Sequence, residues 1–174
     1  RDAINIYYET NSQEDPTSNF QWEFVLVDDD QTKNAWCMPG GKIAFYSGIL
    51  PILKNEDGVA SVMGHEIAHA VARHSAERAS TAMVTDLGIM ALEQFVLGQR
   101  LPQAAGYVRQ FGLDLPFNRK QESEADYLGL IFSSLAGYDI NESYKVWERM
   151  KEDMGGSGPS EFFSTHPSPD NRIN

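Results

Sequence analysis

The sequence predicts an α+β fold in which a small antiparallel sheet is packed on a long helix with several further helices. Three observations predict it. Aromatic and β-branched runs separated by turn residues fill residues 21–46. Apolar residues at helical spacing dominate the chain beyond Ser47. No internal repeat breaks the order of sheet first and helices second.

Within the β region, residues 22–27 form an aromatic and β-branched run ended by Asp28-Asp29-Asp30, read as a solvated turn. Residues 35–38 and 42–46 give two more short strands, with Pro39-Gly40-Gly41 as the turn between them. The close spacing predicts antiparallel neighbours. Residues 1–10 fit either a helix end or a strand, and residues 11–19 read as loop. A short helical segment is expected over 47–53. Asn55-Glu56-Asp57 then supplies capping side chains for a long helix over 57–79. Further helices are expected over 81–97, 101–111, 119–136 (stopped by Gly137) and 141–154 (stopped by Gly155-Gly156). The tail from 157 to 174 is rich in Pro and Ser and carries Thr165-His166-Pro167.

Composition narrows the classes. The 174 residues fit one domain, and a start at Arg1 rather than Met suggests a truncated N-terminus, so residues 1–174 are read as a single domain. A formal charge of −11 excludes the basic stripe that a phosphate backbone wants, so nucleic acid is not an expected partner. The most apolar stretch, residues 83–97, is interrupted by Asp86, Glu93 and Gln94 and falls short of the roughly 20 residues of a membrane span. The triple Asp lacks the alternate ligand spacing of a calcium loop. Cys37 is the only cysteine, which leaves no disulfide framework and no thiolate cluster.

The chemistry concentrates at His65-Glu66-Ile67-Ala68-His69, an HExxH in the middle of the long predicted helix. At about 100° per residue, positions i and i+4 share a face one turn apart, so both imidazoles can reach one ion. Zinc accepts neutral imidazole nitrogen and favours four ligands. Glu66 projects beside the metal, where it can accept a proton from a bound water. On a straight helix His65, His69, Val62 and Arg73 share one arc, while Val59, Met63, Ile67, Ala70 and Val71 gather opposite. His74 falls within that apolar arc and reads as structural or surface-exposed.

A catalytic zinc needs a third protein ligand and an open position. The extended pattern HExxHxxGxxH is excluded, because Ala72 and Ser75 stand where it wants Gly and His. Residues 119–129 read RKQESEADYLG, with Glu122 and Asp126 four apart on a face shared with Gly129 and Ser133. Such a pair in a buried helix wants a cation or a hydrogen-bond donor. Glu122 as ligand and Asp126 as partner of a ligand histidine would meet that need. An ordinary acidic helix start, favoured by the macrodipole, fits the same residues equally well. Glu124 lies about 160° round the helix and reads as solvent-facing.

HExxH with a downstream ExxxD resembles the HtpX, Oma and CAAX-prenyl-protease superfamily of zinc metallopeptidases, gluzincin type, in its soluble periplasmic or lipoprotein branch. The likeness extends over Asn34-Ala35-Trp36 to Ile43 and over Ser164-Thr165-His166-Pro167 to Asn171-Arg172. It implies a zincin-like fold, one Zn2+ per chain on His65, His69 and Glu122, catalysis by Glu66 and an orienting Asp126. It also implies a His166 close to the metal, as a removable fourth ligand or as a donor to the oxyanion, with Arg172 as a second candidate for the oxyanion role. Extended or unfolded polypeptides would bind by β-augmentation along Asn34, Ala35, Trp36 and Cys37, as in quality control of misassembled envelope proteins. The expected address is periplasmic or outer-membrane-associated, with a membrane tie if an anchor precedes Arg1. Three alternatives stay open from the residues alone: an idle binding module, a zinc hydrolase acting on a non-protein amide, and a non-haem iron site.

Overall fold

The computed structural model describes residues 1–92 and 115–153 together with Phe162 and His166. The expected helix over 101–111 and Arg172 lie outside the described residues. The chain opens on helix α1 (Asp2–Thr10), which settles the ambiguity of the first ten residues. Strands β1 (Glu23–Val27), β2 (Ala35–Met38) and β3 (Lys42–Tyr46) come next. A 3-10 turn at Ser47–Ile49 leads into α2 (Leu50–Leu53), then α3 (Glu56–Val71) and α4 (His74–Leu92). The later helices are α5 (Leu115–Leu135) and α6 (Asn141–Asp153).

The sheet corrects the expectation that all three strands are antiparallel. The β2–β3 hairpin is antiparallel, but β1 runs parallel to β3, and the order is β1-β3-β2. Residues 28–34 therefore cross the end of β3 to place β2 on its far side. The triple Asp is a turn with Asp28 and Asp30 exposed, as expected, and its Asp29 and Asp30 also brace the crossing. Asp29 accepts from the Gln31 and Thr32 amides and the Thr32 hydroxyl, and Ser47 Oγ donates to Asp30 Oδ1 at 2.6 Å. Gly48 donates its amide to the Asp29 carbonyl, and a Cβ there would sit 2.5 Å from the Thr32 carbonyl oxygen.

Asn55 caps α3, accepting from the Gly58 amide at 2.8 Å. The helix does not run to Ala79 as its sequence suggests. It stops at Val71, and Arg73 turns the chain with φ +58° before α4 begins. Ala72 and Arg73 are good helix formers, so propensity gives no stop signal. The break is imposed by packing and costs a left-handed residue. The two-faced reading of α3 holds only at its end, where Ala70 and Val71 are buried as expected. Val62, on the histidine arc, is completely buried in the core with Ile43, Ile49, Leu53, Val146 and Trp147, whereas Val59, Met63 and Ile67 are only partly covered.

Helix α5 lies directly against α3. A Cβ on Gly64 would come within 2.7 Å of the Gly129 carbonyl oxygen, and one on Gly129 within 2.8 Å of the His65 nitrogen. Only a glycine pair lets the two backbones touch there. Ser133 Oγ, one turn on, donates to the Ala60 carbonyl at 3.1 Å. Gly137, at φ +88°, ends this helical stretch as its sequence predicts.

Candidate metal centre

The α3–α5 contact brings the two sequence motifs together. His65 and His69, one turn apart on α3, and Glu122, on α5, are all buried. Glu122 Oε2 lies 3.4 Å from His65 Nε2, and its Oε1 lies 3.3 Å from His69 Nε2. The two Nε2 atoms are 3.1 Å apart. A tetrahedron with metal–ligand bonds of about 2.0–2.1 Å has edges of about 3.3–3.4 Å. The histidine nitrogens stand close to such an edge, and each faces one of the two Glu122 oxygens at a similar distance. His166, also buried, joins them, and one ligand atom from each of the four residues falls within 4.8 Å of the others.

Glu66 is buried beside this group, with Oε1 3.3 Å from His166 Nε2. The His166 ring stacks on Phe162 at 4.5 Å, and its amide donates to the Phe162 carbonyl. Asp126 Oδ1 meets His65 Nδ1 at 2.9 Å, which turns Nε2 of that ring toward Glu122 and His69. The structure therefore gathers His65, Glu66, His69, Glu122, Asp126 and His166 in one place.

His74 is where reading the sequence as a straight helix misleads. The break at Arg73 swings it out of the apolar arc and onto the site, buried, with Nδ1 2.8 Å from His69 Nδ1. Glu124, expected in solvent, has Oε2 3.4 Å from His74 Nε2 while its side chain stays half exposed. The other feature the sequence hides is the Gly64–Gly129 contact. Both glycines stand in motif helices, but which residues they face is a tertiary fact.

The charges call for a cation. Burial works against a charged His65 ring, but the hydrogen bonds it donates to Asp126 and Glu122 and the field of Glu66 outweigh it and raise its pKa to about 9. Burial lowers His69 to about 4, against the opposing pull of Glu122. Burial also lowers His74. For Glu122 burial acts upward, yet the two histidines hold its carboxyl well below the ordinary range. Two imidazoles and a carboxylate form a borderline-soft donor set suited to zinc.

Strand β2 runs alongside α3. Asn34 accepts from the Tyr46 amide and Met38 from the Gly41 amide, so the even-numbered residues of β2 face β3. Ala35 and Cys37 then turn their backbone groups to the edge that no strand among the described residues pairs with, whereas those of Trp36 bond within the sheet. The Ala35 amide donates to Asn34 Oδ1 at 2.9 Å. Of the expected edge, the Cys37 backbone and the Ala35 carbonyl are thus the groups turned outward. The Cys37 thiol is pushed up to about 12 by burial and, to a lesser degree, by the Glu66 carboxylate.

Among the described residues no helix is long and apolar enough to cross a membrane. The chain matches peptidase family M48 over residues 9–174. It is 45% identical over 158 residues to the mitochondrial metalloendopeptidase OMA1 of Schizosaccharomyces pombe, covering 90% of this chain and 46% of that one. It is 41% identical over 147 residues to the mitochondrial metalloendopeptidase OMA1 of Arabidopsis thaliana, covering 84% of this chain and 29% of that one. Identity is 31% over 157 residues to the putative beta-barrel assembly-enhancing protease of Vibrio cholerae, covering 83% of this chain and 32% of that one. The chain spans less than half the length of these relatives. With the family match running through both motif helices and on to the last residue, this chain belongs to peptidase family M48.

Proposed function

We propose that this chain is a zinc-dependent endopeptidase domain in which His65, His69 and Glu122 hold one Zn2+ and Glu66 is the general base. The carrying observation is the pair of histidine Nε2 atoms 3.1 Å apart, each facing one oxygen of the Glu122 carboxylate at 3.3–3.4 Å, with the Glu66 carboxylate buried beside them. Zinc, when bound, supplies Lewis acidity and lowers the pKa of a water toward about 7. Glu66 takes the proton of the attacking water and returns it to the leaving amine. Asp126 holds the His65 ring in the ligating orientation. An extended peptide pairs with the outward backbone groups of β2 and is drawn past Glu66. Unfolded or misassembled chains then serve as substrates and folded ones resist, as suits a protein quality-control role.

The test is Glu66→Gln. It retains about one zinc per chain and loses cleavage of an unfolded protein by at least about 100-fold. Full activity in the variant overturns the assignment of the base. His166 has two roles open to it, and its place among the four ligand atoms favours the removable fourth ligand. On that reading His166→Ala raises basal cleavage, while an oxyanion donor gives a loss. The periplasmic or outer-membrane-associated address competes with the mitochondrial one carried in the names of the relatives at 41–45% identity. Cell fractionation separates the two.

A further inference from the structure

We propose that His74 is a positioning residue for His69, fixing the tautomer that turns the His69 Nε2 lone pair toward Glu122 and His65, with Glu124 fixing His74 in turn. The inference rests on the metallopeptidase reading for its meaning, but its geometry stands alone. The Nδ1 atoms of His69 and His74 are 2.8 Å apart, so one carries the hydrogen and the other accepts it. Glu124 decides which. Its carboxylate faces His74 Nε2 at 3.4 Å and can only accept, so His74 carries its proton on Nε2. That leaves His74 Nδ1 as the acceptor and puts the hydrogen of His69 on Nδ1. His69 Nε2 then keeps its lone pair, which faces His65 Nε2 at 3.1 Å, a ring whose Nε2–H it can accept from, and Glu122 Oε1 at 3.3 Å. The opposite arrangement would set a bare His74 nitrogen against Glu124, and the hydrogen it puts on His69 Nε2, which Glu122 Oε1 could accept, would occupy the lone pair that a metal needs.

The rest of the corner is built to hold this ring. Arg73 takes φ +58°, a conformation disfavoured for a residue with a side chain, and so folds His74 back over the end of α3. Gln121, itself buried, clamps the first turn of α4 by donating to Glu77 Oε2 at 2.8 Å and to the His74 carbonyl at 3.5 Å. His74 is only 1% exposed. The result matches the second-sphere logic of Asp126 on His65: each histidine of the HExxH has its remote nitrogen taken by a partner that leads to a carboxylate.

Two variants and two readouts test it. Zinc affinity is measured by competition with a chromophoric chelator for the native protein, His74→Ala and His74→Asn. The Asn carbonyl oxygen can accept where His74 Nδ1 does, so it is the conservative replacement. His74→Ala is expected to weaken zinc binding about 10–100-fold, and His74→Asn to restore it to within about threefold of native. On metal-free native protein, long-range 15N–1H NMR should show His69 protonated at Nδ1, a result independent of whether zinc is the physiological metal. Zinc bound by His74→Ala within about threefold of native overturns the proposal. So does an Asn variant no better than Ala while both melt like the native metal-free protein, and so does a His69 ring protonated at Nε2. Native protein that binds no zinc while showing the Nδ1 tautomer refutes the metallopeptidase reading and leaves the hydrogen-bond assignment standing.

Discussion

The close seating of α3 on α5 makes Gly129→Ala a sharp probe of how the site is assembled. The added carbon would sit 2.9 Å from the Gly64 carbonyl carbon and 3.0 Å from His65 Cα. Carbon atoms rest at about 3.5–4.0 Å, so the helices must part by roughly 0.5–1 Å at this point. Alanine favours the helix by about 1 kcal/mol over glycine, while overpacking of this kind costs about 1–3 kcal/mol, so metal-free stability is expected to fall by up to about 2 kcal/mol. The larger effect falls on the metal. His65 and His69 ride on α3 and Glu122 on α5, and a site of this kind tolerates only about 0.5 Å of misplacement. Zinc affinity is therefore expected to drop at least about tenfold. Gly88→Ala is the control, because no atom of the described residues lies within 4 Å of its Cβ and the same substitution should stabilise by about 0.5–1 kcal/mol. Urea denaturation in chelator reads the stabilities, and chelator competition reads the zinc. A Gly129→Ala protein that binds zinc as the native does and gains stability like Gly88→Ala would refute the contact as the device that assembles the site.

Three further outcomes rest on the same geometry. His65, with its pKa raised to about 9, is a charged imidazolium at pH 7.5 in the metal-free protein, whereas His69 at about 4 is a neutral ring with a single N–H. Coordination needs both rings neutral, so zinc binding at pH 7.5 should release about one proton from the ligands, fading as the pH passes 9. Calorimetry in buffers of different ionisation heat reads the release, and identical heats in all buffers would sink the idea. Cys37, pushed up to about 12, should react with iodoacetamide at pH 8 far more slowly than a free thiol until the chain is unfolded; native-state labelling at the unfolded rate would contradict it. Asn55→Ala removes the acceptor of the Gly58 amide and should cost about 1 kcal/mol in urea denaturation, and an unchanged midpoint would deny the cap its role.

What the sequence made legible was local. β2 and β3 were bounded by turn chemistry, since Pro39-Gly40-Gly41 can hardly do anything else, and the structure has them at the expected residues. The HExxH and ExxxD spacings were legible because i and i+4 share a helix face whatever the surroundings. The parallel seating of β1 was not, because strand order depends on how residues 28–34 fold over Ser47 and Gly48. Nor was the stop at Val71. Ala72 and Arg73 carry no breaker signal, and a left-handed Arg is tolerated only where the surroundings over-determine it.

That one unforeseen break is why His74 and Glu124 stand where a straight helix would not put them. On paper Glu122, Glu124 and Asp126 cannot all serve one partner helix, since successive members lie about 200° apart around α5. They do not serve one helix. Glu122 and Asp126 reach the histidines of α3, and Glu124 reaches His74, which belongs to α4. The turn at Arg73 brings the first turn of α4 up to α5, so that a carboxylate on what would be the solvent side finds an imidazole. Uninterrupted, α3 would carry His74 away from His69 and leave Glu124 without it. The strained residue thus lets one acidic stretch of α5 engage three histidines from two directions, and that joins the motif legible in the sequence to the one hidden in its fold.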